Sequence, residues 1–181
     1  MLRTYTVFTA DQVEGADRWQ ARVEGGTADV PDFAPADELI AATNADIRHK
    51  GDQAFYHRQG DFVQVPPKER FNPAGAYYET ILHELAHWSE CRLNWDHEQA
   101  GYAMGELVAE MSASFLATEL GVPQGESLEN HAAYLRNWLH AMRGDAGFIF
   151  KASTQASKVA DFLLGFVAQC DKASLPEEIT V

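Results

Sequence analysis

Cysteine is scarce in this 181-residue chain, which has only Cys91 and Cys170. Their separation matches no metal-type spacing, so they are expected to be free thiols in a reducing compartment. No stretch reaches the roughly 18 apolar residues that a membrane span needs. The opening MLRTYTVFTADQ lacks the apolar core of a signal peptide, which makes the expected location cytoplasmic, with no membrane partner. Basic residues are short as well: 14 Lys and Arg stand against 27 Asp and Glu, a net charge of −13. The basic footprint of a nucleic-acid binder is therefore missing. The acids are scattered rather than massed in a tail, as on an ordinary solubilising surface. There is no internal repeat and no low-complexity block.

What is present suffices for one globular domain: 46% of residues are hydrophobic and 11% aromatic. Thr4 to Phe8 (TYTVF) is rich in β-branched and aromatic residues and predicts a strand. Gly25 to Glu38 is turn-rich and reads as a surface loop. The stretch PADELIAATNADIRHKG predicts an amphipathic helix ending near Gly51. Ala54 to Pro66 predicts two short strands around a turn at Gln59-Gly60-Asp61. From about Tyr77 the chain turns helical. GYAMGELVAEMSASFLATELGVP runs at helical period and stops with Gly121 just past its end and Pro123 beyond. A further helix is expected from Ser127 to Gly144, and a last one in SKVADFLLGFVAQC. The fold class is thus α+β, a small N-terminal sheet packed on a mostly helical C-terminal half. No linker divides residues 1–181, so a single domain is expected.

The chemistry concentrates in YYETILHELAHWSECRLNWD. It holds His83-Glu84-Leu85-Ala86-His87. On a helix, positions i and i+4 share one face, so His83 and His87 can offer nitrogens to one ion. Glu84 is rotated by about 100° from His83 and can reach a water on that ion without ligating it. This is the logic of H-E-x-x-H: the histidines hold zinc and the glutamate takes the water's proton. With 7 His and 15 Glu in the chain, chance placement produces about 0.02 such motifs. The bland alternative is a solvated helix with two stray histidines. Ile81, Leu82 and Leu85 supply apolar surface that would anchor the helix. Catalytic zinc wants a third protein ligand and leaves a position for water. Downstream, Glu106 and Glu110 lie again at i and i+4, on a face continued by Ala103, Ala113 and Ala117. Glu106 is read as the third ligand, and Glu110 as the acceptor for the free ring N–H of a ligating histidine, His83 first. The two glutamates could exchange these roles, and a solvated acidic face is the bland alternative for both.

HELAHW followed by ELVAEMSASFLATELGV resembles the gluzincin pattern. More narrowly, YTVFTADQVEG, AFYHRQGDFVQVP, YYETILHELAHW, ELVAE and NHAAYLRNWL resemble successive blocks of the zincin-like metallopeptidase domain of ArdC-type antirestriction proteins. The resemblance runs from about Thr4 to Phe166. It implies a zincin-like fold, zinc as cofactor, His83, His87 and Glu106 as ligands, Glu84 as general base, and a link to protecting incoming DNA from restriction. Family members usually carry a single-stranded-DNA-binding domain ahead of this one. The present chain starts after the place where that domain would end, so direct nucleic-acid binding is not expected of it.

Peptide hydrolysis also needs a donor for the developing oxyanion. His131 and Tyr134, three apart within one of the resembling blocks, are the catalytic candidates, with Tyr102 behind them. His97 reads as a solvated loop residue. Trp88, Trp95, Trp138 and Phe115 read as core. The strand Phe62 to Val65 is a candidate edge for binding an extended peptide. The leading expectation is therefore a zinc metallopeptidase acting on a peptide or protein. The runner-up is a non-proteolytic, zinc-containing binding module that blocks a host restriction or defence enzyme by contact. An acidic mimic of DNA is a third reading.

Overall fold

The structure is a computed structural model that describes residues 33–71, 75–95, 100–123 and 138–173, with side chains described as far as 169. The strand expected at Thr4 to Phe8 and the start of the helix expected at Ser127 lie outside the described residues, as does the side chain of Cys170. Cys91 is an exposed thiol.

Helix α1 spans Ala34–Ala42, with a proline in its first turn and Asp37 close behind. The turn-rich stretch was expected to extend to Glu38 and the helix to reach Gly51. Both boundaries differ. Thr43 caps the end by donating its hydroxyl to the Ile40 carbonyl at 2.7 Å, and Asn44 takes a left-handed φ of 56°. Asn tolerates that conformation, and it stops the helix. Asp46–His49 then forms β1.

Strands β2 (Phe55–His57) and β3 (Phe62–Val65) follow. The turn between them is pinned by the Gly60 N–H, which donates to His57 Nδ1 at 2.9 Å, and by Asp61 at φ 48°. The sheet order is β1-β3-β2. β1 pairs with β3 in parallel, Ile47 opposite Val63, and β2 pairs with it antiparallel, Tyr56 opposite Val63. β3 is thus central and bonded on both sides. It has no open edge, which removes it as a platform for strand addition; β1 and β2 are the sheet's edges among the described residues. Along β3 burial alternates, with Val63 and Val65 turned into the core. A short 3-10 turn, Lys68–Arg70, leads out of the sheet.

Helix α2, Gly75–Ser89, is the centre of the described fold. Tyr78, Ile81, Leu82 and Leu85 are fully buried, each contributing about 1.5–3 kcal/mol of apolar burial for the aliphatic ones. Its first residue must be glycine on packing grounds: a Cβ there would sit 2.8 Å from the Pro123 carbonyl oxygen. The buried Tyr78 hydroxyl accepts from Lys68 Nζ and from the Phe33 N–H, and donates to Asp37 at 2.9 Å. That network ties α1 and the 3-10 turn to α2.

Helix α3, Tyr102–Glu119, packs small residues inward: Ala109, Ser112, Ala113 and Ala117 are buried. Phe115, expected in the core, is 37% exposed. After helical turns at 138–144, helix α4 runs Phe148–Ala173. It buries Ala152, Ala156, Val159, Ala160 and Leu163, a stripe at helical spacing. Trp88 of α2 meets Phe162 and Phe166 of α4 with ring centres 6.5 and 6.1 Å apart. Among the described residues the result is an α+β fold in which a three-stranded sheet and the helices α1, α3 and α4 pack around α2. No helix among the described residues is long and apolar enough to cross a membrane.

Candidate metal centre

Helical spacing on α2 stacks His83 and His87 on one face, and α3 brings Glu106 against them. One ligand atom from each residue can be chosen so that all three lie within 4.8 Å of one another. The two Nε2 atoms are 3.2 Å apart. Glu106 places Oε2 3.6 Å from His83 Nε2 and Oε1 3.7 Å from His87 Nε2. An ion with ligands at 2.0–2.1 Å in tetrahedral array sets its donors about 3.3 Å apart; the two ring nitrogens stand at that spacing, and Glu106 turns one carboxylate oxygen toward each ring at a slightly longer distance.

The outer ring nitrogens decide how the inner ones behave. His87 Nδ1 lies 2.7 Å from Glu90 Oε1, and His83 Nδ1 lies 3.5 Å from Glu110 Oε1. A carboxylate accepts, so the Glu90 contact favours hydrogen on His87 Nδ1 and leaves Nε2 to face His83 and Glu106. This donor set, two imidazoles and a carboxylate with anionic partners behind the rings, fits a divalent ion.

Glu84 is 7% exposed. Burial pushes its carboxyl above the usual carboxylate range, against the pull of the His83 and His87 rings and of a hydrogen bond from the Tyr56 main chain. Burial would lower His83, but Glu106, Glu110 and Glu84 together raise its affinity for a proton above the ordinary value. The carboxylates around these rings thus favour positive charge in the site.

His83, Glu84, His87, Glu90 and Glu106 line a cleft of about 350 Å3 whose other walls are Ala54, Phe55 and Tyr56 of the hairpin, Arg58, and Tyr102 at the start of α3. Tyr102 is 60% exposed and lines the cleft. A larger hollow, about 690 Å3, is lined by Trp95, Met104, Phe148, Phe150 and others. Its one carboxylate among the described lining residues, Asp145, is engaged by Lys151 and the Gly147 N–H, so the chemistry belongs to the smaller cleft.

Of the residues singled out from sequence, the structure brings together His83, Glu84, His87, Glu106 and Glu110, and adds Tyr102 to the same cleft. His131, Tyr134 and His97 lie outside the described residues. Two participants were missed. Glu90, three residues after His87 and 3% exposed, could have been found from its i, i+3 spacing. The main chain of Tyr56 left no sequence signal.

A helix offering two imidazoles, a neighbouring helix offering a carboxylate, and a small sheet walling the cleft define a metal-binding α+β protein of zincin type. A family model described as zincin-like metallopeptidase matches residues 34–155, and the chain belongs to that family. It is 37% identical to the DNA primase TraC of Escherichia coli over 168 residues, which is 89% of this chain and 15% of that protein. It is 34% identical to an uncharacterized protein, y4eC, of Sinorhizobium fredii, covering 89% of this chain and 53% of that one. Two crystal structures of the antirestriction ArdC protein from the R388 plasmid are similar. The metal-free one has a TM-score of 0.65 at 38% identity, covering 91% of this chain and 61% of its own. The Mn(II)-bound one has a TM-score of 0.66 at 36% identity, covering 91% and 62%. The chain therefore spans about a seventh of one relative's length and between half and two thirds of the others'.

Proposed function

We propose that this chain is a zinc-dependent metallopeptidase that works within an antirestriction system, cleaving a peptide or protein in the cell interior. The observation that carries the reading is the convergence of His83, His87 and Glu106 beside a buried Glu84. Membership of the zincin-like family and the likeness to an antirestriction protein with a Mn(II)-bound form support it. His83 and His87 through Nε2, with a Glu106 oxygen, would hold the ion. Zinc suits two imidazoles and one carboxylate, and it binds such nitrogen-containing sets more tightly than manganese does. When bound, it supplies a Lewis acid and lowers the pKa of water toward about 7.

The residues of the chain do the rest. The Glu84 carboxylate takes a proton from water in the cleft and returns it to the leaving amine, a task suited to a carboxyl whose proton affinity burial has raised. Glu90 and Glu110 hold the imidazole rings by Nδ1. The Tyr102 hydroxyl is the oxyanion donor that the described cleft offers; the same role is proposed for His131 and Tyr134 on the family resemblance alone.

The test is Glu84→Gln in the metal-loaded protein. Metal content is expected to stay unchanged while cleavage of an unstructured casein falls about 10²–10⁴-fold, the usual contribution of a general base. A variant as fast as wild type would overturn the mechanism. Undiminished protection of incoming DNA by Glu84→Gln would favour inhibition by contact instead.

A further inference from the structure

Tyr56 does more than line the cleft. Its main chain lies on the cleft wall with Glu84 and lowers the proton affinity of that carboxyl by hydrogen bonding, and its phenol donates to Asp61 Oδ1 at 2.9 Å. The other Asp61 oxygen accepts from Arg92 Nη2 at 2.7 Å. Arg92 Nη1 donates to the Trp88 carbonyl at 2.7 Å, and its guanidinium carbon lies 3.5 Å from the centre of the Trp88 ring. The bonds make a closed circuit. It leaves α2 near its C-terminal end, crosses to the hairpin turn through Arg92 and Asp61, and returns through Tyr56 of β2 to Glu84 in the middle of the same helix.

This circuit supplies what the local structure lacks. β2 has three residues and, among the described residues, is bonded on one side, to β3. Short edge strands of this kind open readily. Burial pushes the Tyr56 phenol up to about 12, and the Arg92 hydrogen bond holds Asp61 below the usual carboxylate range. The donor therefore stays a donor and the acceptor stays ionised across the working range of pH. Neither Asp61 nor Arg92 lines the cleft.

We infer that Asp61, fixed by Arg92, is a positioning residue: through Tyr56 it sets the main-chain donor that aims the Glu84 carboxylate. This rests on the proposed role of Glu84 as base. The experiment uses the metal-loaded full chain with Asp61→Gly, which tolerates the left-handed turn, with Tyr56→Phe, and with the pair combined. Each is made with Glu84 intact and with Glu84→Gln. Labelled casein gives kcat and KM, chelator competition gives metal affinity, and hydrogen exchange reads the Tyr56 amide. Asp61→Gly and Tyr56→Phe should each lower kcat about 10- to 100-fold, the effect of misplacing a catalytic group by about an ångström. KM and metal affinity should stay within about two-fold, and the double variant should be no slower than the worse single one. In the Glu84→Gln background Asp61→Gly should change the residual rate by less than about two-fold. The Tyr56 amide should exchange about ten-fold faster in both single variants.

An unchanged kcat overturns the inference, and so does an Asp61→Gly effect that persists without Glu84 or that shifts metal affinity. If the wild type leaves casein intact, the peptidase reading fails by itself. The Tyr56 amide then decides this inference: faster exchange upholds the circuit, and wild-type exchange overturns it.

Discussion

At the scale of single residues, the orientation of two imidazole rings sets the whole site. Helical spacing places His83 and His87 on one face, but spacing alone leaves each ring free to present either nitrogen. Glu90 and Glu110 remove that freedom by taking the Nδ1 side. Their grips differ. Glu90 is buried and 2.7 Å from its ring, whereas Glu110 stands 3.5 Å away and is more open to water. Replacing a carboxylate behind a ligating histidine typically weakens metal binding about 10- to 100-fold. Glu90→Ala should fall at the upper end of that range and Glu110→Ala at or below the lower end, as read by zinc competition against a chelator of known affinity. Equal losses would show that the ring orientation is set elsewhere. His83, Glu84 and His87 were legible in the sequence because H-E-x-x-H is rare by chance and its helix has an apolar face. Glu106 was legible because its own helix pairs it with Glu110 at i+4. Glu90 was not, because a glutamate three residues after a histidine is common on any helix; burial, which sequence does not display, gives it meaning.

At the scale of elements, signals carried by backbone chemistry were easier to read than those carried by pairing. The end of α3 is an example of the first kind. The Gly121 N–H reaches the Thr118 carbonyl at 3.3 Å and the Val122 N–H reaches the Ala117 carbonyl at 2.8 Å, with Gly121 at φ 70°. This Schellman closure was foretold by Gly121 and Pro123 together. A Cβ on Gly121 would meet nothing within 4 Å, so substitution there tests backbone strain without steric clash. Gly121→Ala should destabilise by about 1–2 kcal/mol, and Gly121→Asn by less, because Asn accepts the left-handed conformation. Urea unfolding of the two variants checks this, and an Ala variant as stable as the Asn one would contradict it. The segment after α1 shows the second kind of signal. Residues 46–49 continue a helical pattern on paper, and became β1 because β3 offers them a parallel partner. Pairing with a strand more than a dozen residues away is a tertiary event, and local periodicity does not report it.

At the scale of the whole molecule, the metal is expected to be part of what holds the fold closed. The three residues that meet at the site come from α2 and α3, the two helices whose packing forms the middle of the described core. Between them they bring a cluster of carboxylates to one face, and the chain carries a net charge of −13. Without a cation, that cluster opposes the approach of α3 to α2; with one, the same charges favour it. Binding to the folded state alone stabilises by about 2.7 kcal/mol when the free ion stands at 100 times its Kd, and for a chain of this size each kcal/mol moves the Tm by roughly 2–4 °C. Zinc should therefore raise the Tm of the chelated protein by roughly 5–10 °C in a thermal scan. On the proposed role of Glu84 as a base and not a ligand, Glu84→Gln should show the full rise, and His87→Ala should show almost none. A rise of the same size in His87→Ala would place the ion elsewhere on this acidic surface. A rise lost in Glu84→Gln would make that carboxylate a ligand rather than a base.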